Sequence, residues 1–185
     1  MEGRIIQRIL RVNHAGEHGA VSIYSQQLER AEASYPDLVP WLQEVLSHER
    51  RHRAMFEAEM PNRSAKPCRL LSIWDWGGSL LGLMTGLFGR AGVYACTIAV
   101  ERTVHEHLLQ QIAFLDDADP ALSQVVSTIL VEEDEHLAHA ARHQKDGGLL
   151  MKILAAVVSA ATEALIFIST RGDSLNLKRQ LAQRY

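Results

Sequence analysis

The chain has only two cysteines, Cys68 and Cys96, in 185 residues. They form no C-x-x-C pair, so they offer neither a disulfide framework nor a cysteine metal site, and two free thiols in a reducing compartment are expected. No run of β-branched and aromatic residues alternates with polar ones, which leaves no strand signal. No glycine-rich turn follows a strand, so there is no Rossmann-type crevice for a dinucleotide. An excess of positive charge is lacking too. The net charge is −3, the pI is near 6.3 and no basic cluster stands out, so no nucleic-acid partner is expected. Residues 4–8 read as the start of an amphipathic helix, not as a leader with a long apolar core, so secretion is not expected. No stretch reaches about 18 to 20 apolar residues without a charge. The nearest are Leu70 to Phe88, broken by Asp75, and Leu149 to Thr170, broken by Lys152 and Glu163.

Hydrophobic residues make up 47% of the chain, the ordinary globular share, and its length suits one domain over residues 1–185 with a tail at 171–185. The spacing predicts an all-α protein of six helices. The first runs from Arg4 to Ala33 with an inner stripe of Ile6, Leu10, Asn13, Glu17, Tyr24 and Leu28. Gly16 and Gly19 flank Glu17, and each costs about 1 kcal/mol of helix propensity, which predicts close backbone packing there. The second begins at Pro40 and ends at Met60-Pro61, carrying Leu42, Val45, Glu49, His52 and Phe56 on one face. After a loop at Pro61 to Pro67 comes an apolar, glycine-rich third helix from Leu70 to Phe88. The fourth starts near Gly92, with Ile98, Glu101, His105, Leu108 and Leu115 inward. The fifth starts at Asp119-Pro120, carries Val126, Ile129, Glu133 and His136 inward, and ends at Gly147-Gly148. The sixth spans Leu149 to Thr170, and the tail from Gly172 onward reads as a short helix or a frayed end.

One pattern in this layout points to chemistry. Glu17 is followed by Glu49-x-x-His52, and Glu101 by Glu133-x-x-His136, at the same interval of 32 residues. Residues three apart share a helix face, so each Glu-x-x-His presents both groups together. All six sit on seams otherwise filled by Leu, Ile and Val, where a carboxylate is costly unless paired or metal-bound. A lone Glu on two helices and a Glu-x-x-His on two more is the donor set of a two-metal carboxylate site in a four-helix bundle. One imidazole per ion among carboxylates suits iron or manganese, not the Cys/His preference of zinc. Symmetry assigns Glu49 and Glu133 as bridges, and Glu17 and Glu101 as terminal ligands.

Other histidines compete for attention. His48-Glu49-Arg50-Arg51-His52 matches the H-E-x-x-H of zinc proteases, but that reading strands Glu17, Glu101, Glu133 and His136, and the match is taken as coincidence. His105 lies one turn beyond Glu101 and is a candidate support for the site, whereas His107 points elsewhere on the helical wheel. His139 and His143, on the same face as His136, read as supports for the site or as surface residues, the latter preferred. His14 and His18 flank Glu17 off its stripe. Each ligand histidine needs a partner for its other ring nitrogen, and Glu132 and Glu135 are near in sequence.

The stretches Arg11-Val12-Asn13-His14-Ala15-Gly16-Glu17, Gly19-Ala20, Ile23-Tyr24 and Ala95-Cys96-Thr97-Ile98-Ala99-Val100-Glu101 resemble the motifs of the demethoxyubiquinone hydroxylases, with the two Glu-x-x-His pairs completing their iron ligands. The resemblance covers about residues 4 to 170. It implies a ferritin-like four-helix bundle with two additional apolar helices and two Fe ions per chain. It also implies O2 as co-substrate, NADH or another reductant as electron source, and a polyprenyl quinone substrate in ubiquinone biosynthesis. His107 falls where that family often has His, in a region linked to quinone and electron transfer. Peripheral membrane association is implied, at the cytoplasmic face of a bacterial inner membrane or the matrix side of a mitochondrial one. Other ubiquinone-biosynthesis proteins and a homo-oligomer are conceivable partners. Asn13 and His18 depart from what some members carry. The apolar third helix, with the sixth, is then expected to lie in the interface. The alternative is a ferritin- or rubrerythrin-like iron-storage or peroxide-scavenging protein; a tRNA hydroxylase and a lipid-binding scaffold are further rivals.

Overall fold

A computed structural model describes residues 2–144 and 148–170. Apolar residues at helical spacing become six helices, α1 (Glu2–Ser34), α2 (Val39–Glu59), α3 (Leu71–Leu87), α4 (Gly89–Ala118), α5 (Pro120–His143) and α6 (Gly148–Thr170). No strand occurs among the described residues. α1 turns back into α2 through a short 3-10 turn at Pro36–Leu38, and α4 into α5 through Asp119. These two hairpins face each other as a ferritin-like four-helix bundle, with α3 laid on α1 and α6 on α4. The expectation for the tail lies outside the described residues.

Two of the turns are local chemistry. Asp119 accepts the Leu122 backbone N–H at 3.1 Å and Pro120 follows it, so α5 starts where the sequence predicts. Pro40 sits in the first turn of α2. The α3–α4 junction differs from expectation, because α4 begins at Gly89, not near Gly92, with Phe88 alone between the helices. Gly89 has a φ of 65°, which a side chain rarely adopts, and a Cβ there would stand 3.1 Å from the Tyr35 hydroxyl. α5 ends at His143, and Gly148 (φ 64°) opens α6. Gly147, the other half of the expected stop, lies outside the described residues.

The bundle interior is apolar at both ends. Ile9, Leu10, Phe56, Leu108, Leu115, Leu122 and Ile129 fill one end. Tyr24, Leu42, Val45, Leu46, Val93 and Ala140 fill the other. Each large apolar side chain removed from water contributes about 1.5–3 kcal/mol. The six acidic and imidazole residues lie between these two plugs. α3 approaches α1 closely because Gly78 and Gly82 carry no side chain: a Cβ on either would collide with the carbonyl oxygen of Gly19 or of Ile23. Trp74 of α3 then lies over Gly19, and its Nε1–H donates to Ser169 Oγ of α6 at 3.0 Å, joining the two outer helices.

Candidate metal centre

Glu17 comes from α1, Glu49 and His52 from α2, Glu101 from α4, and Glu133 and His136 from α5; none is more than 6% exposed. Their donor atoms form two clusters. Glu17, Glu49, His52 and Glu133 can bring one atom each within 4.8 Å of one another, and so can Glu49, Glu101, Glu133 and His136. Glu49 and Glu133 belong to both. His52 Nδ1 stands 3.0 Å from Glu133 Oε1 and 3.8 Å from Glu17 Oε2. His136 Nδ1 stands 3.3 Å from Glu133 Oε2 and 3.5 Å from Glu49 Oε1. Both imidazoles thus turn the same nitrogen into the cage.

Burial and mutual repulsion among the carboxylates dominate the electrostatics of the cage. Burial, with the charge of Glu133, lifts Glu17 from its ordinary 4.5 to about 7. Burial and neighbouring carboxylates push Glu49 and Glu101 well above the usual carboxylate range. Burial also works against ionised Glu133, but the adjoining His136 and His52 imidazoles outweigh it and hold this carboxyl below that range. Burial would lower His52, yet Glu133, Glu17 and Glu132 outweigh it and raise the imidazole to about 9. Glu49 Oε1 and His52 Nδ1 are buried without a hydrogen-bond partner. Buried atoms of this kind need either protons or a cation. Four carboxylates and two imidazoles in this arrangement fit a pair of divalent ions with oxygen-rich coordination.

The outer nitrogens of the two imidazoles have definite partners. His52 Nε2 meets Glu132 Oε2 at 2.8 Å, and the exposed Arg51 holds the same oxygen. His136 Nε2 meets His48 Nδ1 at 3.0 Å. Glu132 was one of two carboxylates near in sequence; Glu135 is exposed. The sequence reading gave His48 no role beyond a coincidental H-E-x-x-H match, whereas in the structure its ring meets that of His136 on the facing helix. The repeat offered a signal, since 48 and 132 each precede a cage glutamate. Tyr24, an inner-stripe residue with no role assigned from sequence, donates its hydroxyl to Glu101 Oε1 at 2.5 Å.

Other expectations resolve differently. His105 does not support the cage; its Nδ1 pairs with Asp134 Oδ1 at 2.6 Å, with both side chains partly exposed. Four residues on from Glu101 is about 40° further around the helix, enough to turn the ring outward. His107 Nε2 meets Glu163 Oε2 of α6 at 3.1 Å. His139 and His143 are not isolated surface residues: their rings lie 4.2 Å apart, and His139 also stacks on Trp41 at 4.7 Å. His14 is buried with Nδ1 unpartnered, while His18 faces Arg53 and Asp75 on the outer side of α1. Asn13 and Gln111 exchange amide hydrogen bonds at 2.7 and 3.0 Å.

A cavity of about 450 Å³ reaches all four cage glutamates. It runs between α1, α3, α4 and α6, and Asn13, Gln111 and His107 are among its polar lining groups. The rest is mostly apolar, including Ile23, Leu81, Val100, Val158 and Ile166. Gly16 opens onto it: a Cβ there would meet nothing within 4 Å, so this glycine leaves space, while Gly19 packs on Trp74 as the sequence predicts. At the mouth, Leu80, Met84 and Val157 are exposed.

Residues 4–169 match the family model described as ubiquinone biosynthesis protein COQ7. The chain is 33% identical over 170 residues to the mitochondrial NADPH-dependent 3-demethoxyubiquinone 3-hydroxylase of Mus musculus, covering 90% of this chain and 77% of the relative. It is 34% identical over 174 residues to the 3-demethoxyubiquinol 3-hydroxylase of Rhodospirillum rubrum, at 90% and 78%. With the Dictyostelium discoideum NADPH-dependent hydroxylase it shares 32% identity over 174 residues, at 92% and 79%. Four inward glutamates, two imidazoles and a matched stretch that spans nearly every helix make this chain a member of the ubiquinone biosynthesis protein COQ7 family.

Proposed function

We propose that the protein is a two-iron monooxygenase that hydroxylates the ring of a demethoxyubiquinone or its quinol in ubiquinone biosynthesis. The observation that carries this reading is the apolar cavity that ends on four carboxylates. Glu17 with His52, and Glu101 with His136, would hold the two ions, with Glu49 and Glu133 shared between them. Iron bound there supplies dioxygen activation, in which one oxygen atom enters the ring and the other leaves as water with two electrons and two protons. The apolar walls exclude water and accept the quinone ring, and the Asn13, Gln111 and His107 side chains offer its oxygens hydrogen bonds. The names of these relatives support NADPH as the reductant, where the sequence suggested NADH or another donor.

A polyprenyl tail on that substrate would put the entrance at a bilayer. α3 exposes Ile73, Trp76, Leu83, Met84 and Leu87, and α6 exposes Leu149, Leu150, Ile153, Phe167 and Ile168. Among the described residues α6 is the one helix long and apolar enough to cross a membrane, and most of its apolar stretch is not buried against the bundle. Packed along α4, it is read as lying in one leaflet beside α3, as a peripheral anchor around the cavity mouth. The cytoplasmic or matrix face of an inner membrane is the location that fits this role. The cavity favours a hydroxylase over the iron-storage alternative, because a store of hydrated ions has no use for an apolar antechamber. Complementation tests the assignment: in a strain lacking this hydroxylase, the chain restores ubiquinone and a Glu133→Ala variant does not. Persistence of demethoxyubiquinone with the intact, expressed protein contradicts it.

A further inference from the structure

The two halves of the cage are related by the repeat, but their supports are crossed. Glu132, which precedes Glu133 on α5, faces His52 Nε2 on α2 at 2.8 Å. His48, which precedes Glu49 on α2, faces His136 Nε2 on α5 at 3.0 Å. Each histidine is therefore oriented by the residue before the other helix's glutamate. Chemically the two supports are unlike. With Nδ1 turned into the cage, each Nε2 carries the proton and donates it, in one case to a carboxylate and in the other to an imidazole nitrogen. A carboxylate behind an imidazole raises its basicity as a ligand, while a neutral imidazole does so far less. Arg51 shares the Glu132 oxygen, but it is 47% exposed, so its charge is screened while it fixes the carboxylate.

The terminal glutamates break the symmetry in the same sense. Tyr24, seven residues after Glu17, crosses to Glu101 and donates to Oε1 at 2.5 Å. The position seven residues after Glu101 is Leu108, which is buried and has no group to donate to Glu17. A phenol hydrogen bond withdraws electron density from a carboxylate oxygen and weakens it as a ligand. One half-site thus combines a carboxylate-backed imidazole with a terminal glutamate free of a phenol. The other combines an imidazole-backed imidazole with a terminal glutamate tied to one.

We infer that Glu132, His48 and Tyr24 make the two metal positions inequivalent, so that the Glu17/His52 position takes a ferrous ion first and more tightly than the Glu101/His136 position. The inference rests on the two-iron reading above. These three are positioning residues, and the size of the gap is the about 10- to 100-fold that such supports are worth in metal affinity.

The test is an anaerobic titration of the metal-free protein with ⁵⁷Fe(II) alone, without quinone, followed by calorimetry and Mössbauer spectroscopy. The expected result is two steps separated by about 10- to 100-fold, with one quadrupole doublet after the first equivalent and a second, distinct doublet after the next. Glu132→Gln weakens the first step more than the second, which it reaches only through His48, whose Nδ1 stands 3.8 Å from the same Glu132 oxygen. His48→Glu, and independently the isosteric Tyr24→Phe, strengthen the second step and narrow the gap. Two ions bound in a single step with one doublet, or a gap that none of the variants moves, overturns the inference while leaving the two-iron reading intact. Fewer than two ions bound overturns both.

Discussion

In the metal-free protein, burial and the Glu133 charge lift Glu17 from 4.5 to about 7, and the surrounding carboxylates raise His52 from 6.5 to about 9 against its burial. These two groups therefore hold more protons in the folded state than in the unfolded chain across these windows. The stability contributed by Glu17 is complete below 4.5 and lost as pH rises through about 7; that of His52 is complete below 6.5 and lost through about 9. Thermal melts of the metal-free protein should fall from about pH 6.5 to 9, above the range where the lowered His14, His48 and His139 act in the opposite sense, while the iron-loaded protein, whose ions replace those protons, gains on it as pH rises. A flat or rising metal-free curve would contradict this. Gly16 gives a second prediction at this scale. Gly16→Leu should fill the cavity beside Glu17, abolish quinone hydroxylation, leave iron binding unchanged, and alter stability by no more than about 1 kcal/mol in the favourable direction. The six cage residues were legible because their seams and their interval lie within single helices. His48, Tyr24 and His105 were not, because each role is decided by what stands opposite on another helix, which no helical wheel contains.

At the scale of the elements, glycine spacing on α3 decides how close the outer layer comes. Gly82→Ala should push α3 away from the Ile23 backbone and cost about 1–3 kcal/mol. In a chain of this length each kcal/mol lowers Tm by about 2–4 °C. Gly77→Ala, where nothing lies within 4 Å of the added Cβ, is the control and should be neutral or stabilising by up to about 1 kcal/mol. Equal effects of the two would show that close packing of α3 on α1 is not what the glycines serve. The start of α5 was readable because Asp119-Pro120 is a local signal. The α3–α4 junction was not, because the turn at Gly89 depends on Tyr35, which is distant in sequence and packs against it.

For the whole molecule, the exposed apolar faces of α3 and α6 surround the mouth of the cavity, so under the proposed function membrane contact and substrate entry would share one surface. Trp76 is 70% exposed and has no part in the bundle core. Trp76→Glu should lower binding to phospholipid vesicles by about tenfold or more, the equivalent of one large apolar side chain, without changing iron content. Unchanged vesicle binding would move the anchor elsewhere. The apolar character of both helices was plain in the sequence, but their shared position at one cavity mouth depends on α3 packing on α1 and α6 on α4. The most direct measurement is a reaction of the iron-loaded protein with a demethoxyubiquinol, a nicotinamide reductant and ¹⁸O₂, read by mass spectrometry of the quinone. The account predicts one ¹⁸O atom on the ring of each product molecule and none with Glu133→Ala. Dioxygen consumed by the loaded protein with no labelled ring oxygen would contradict it.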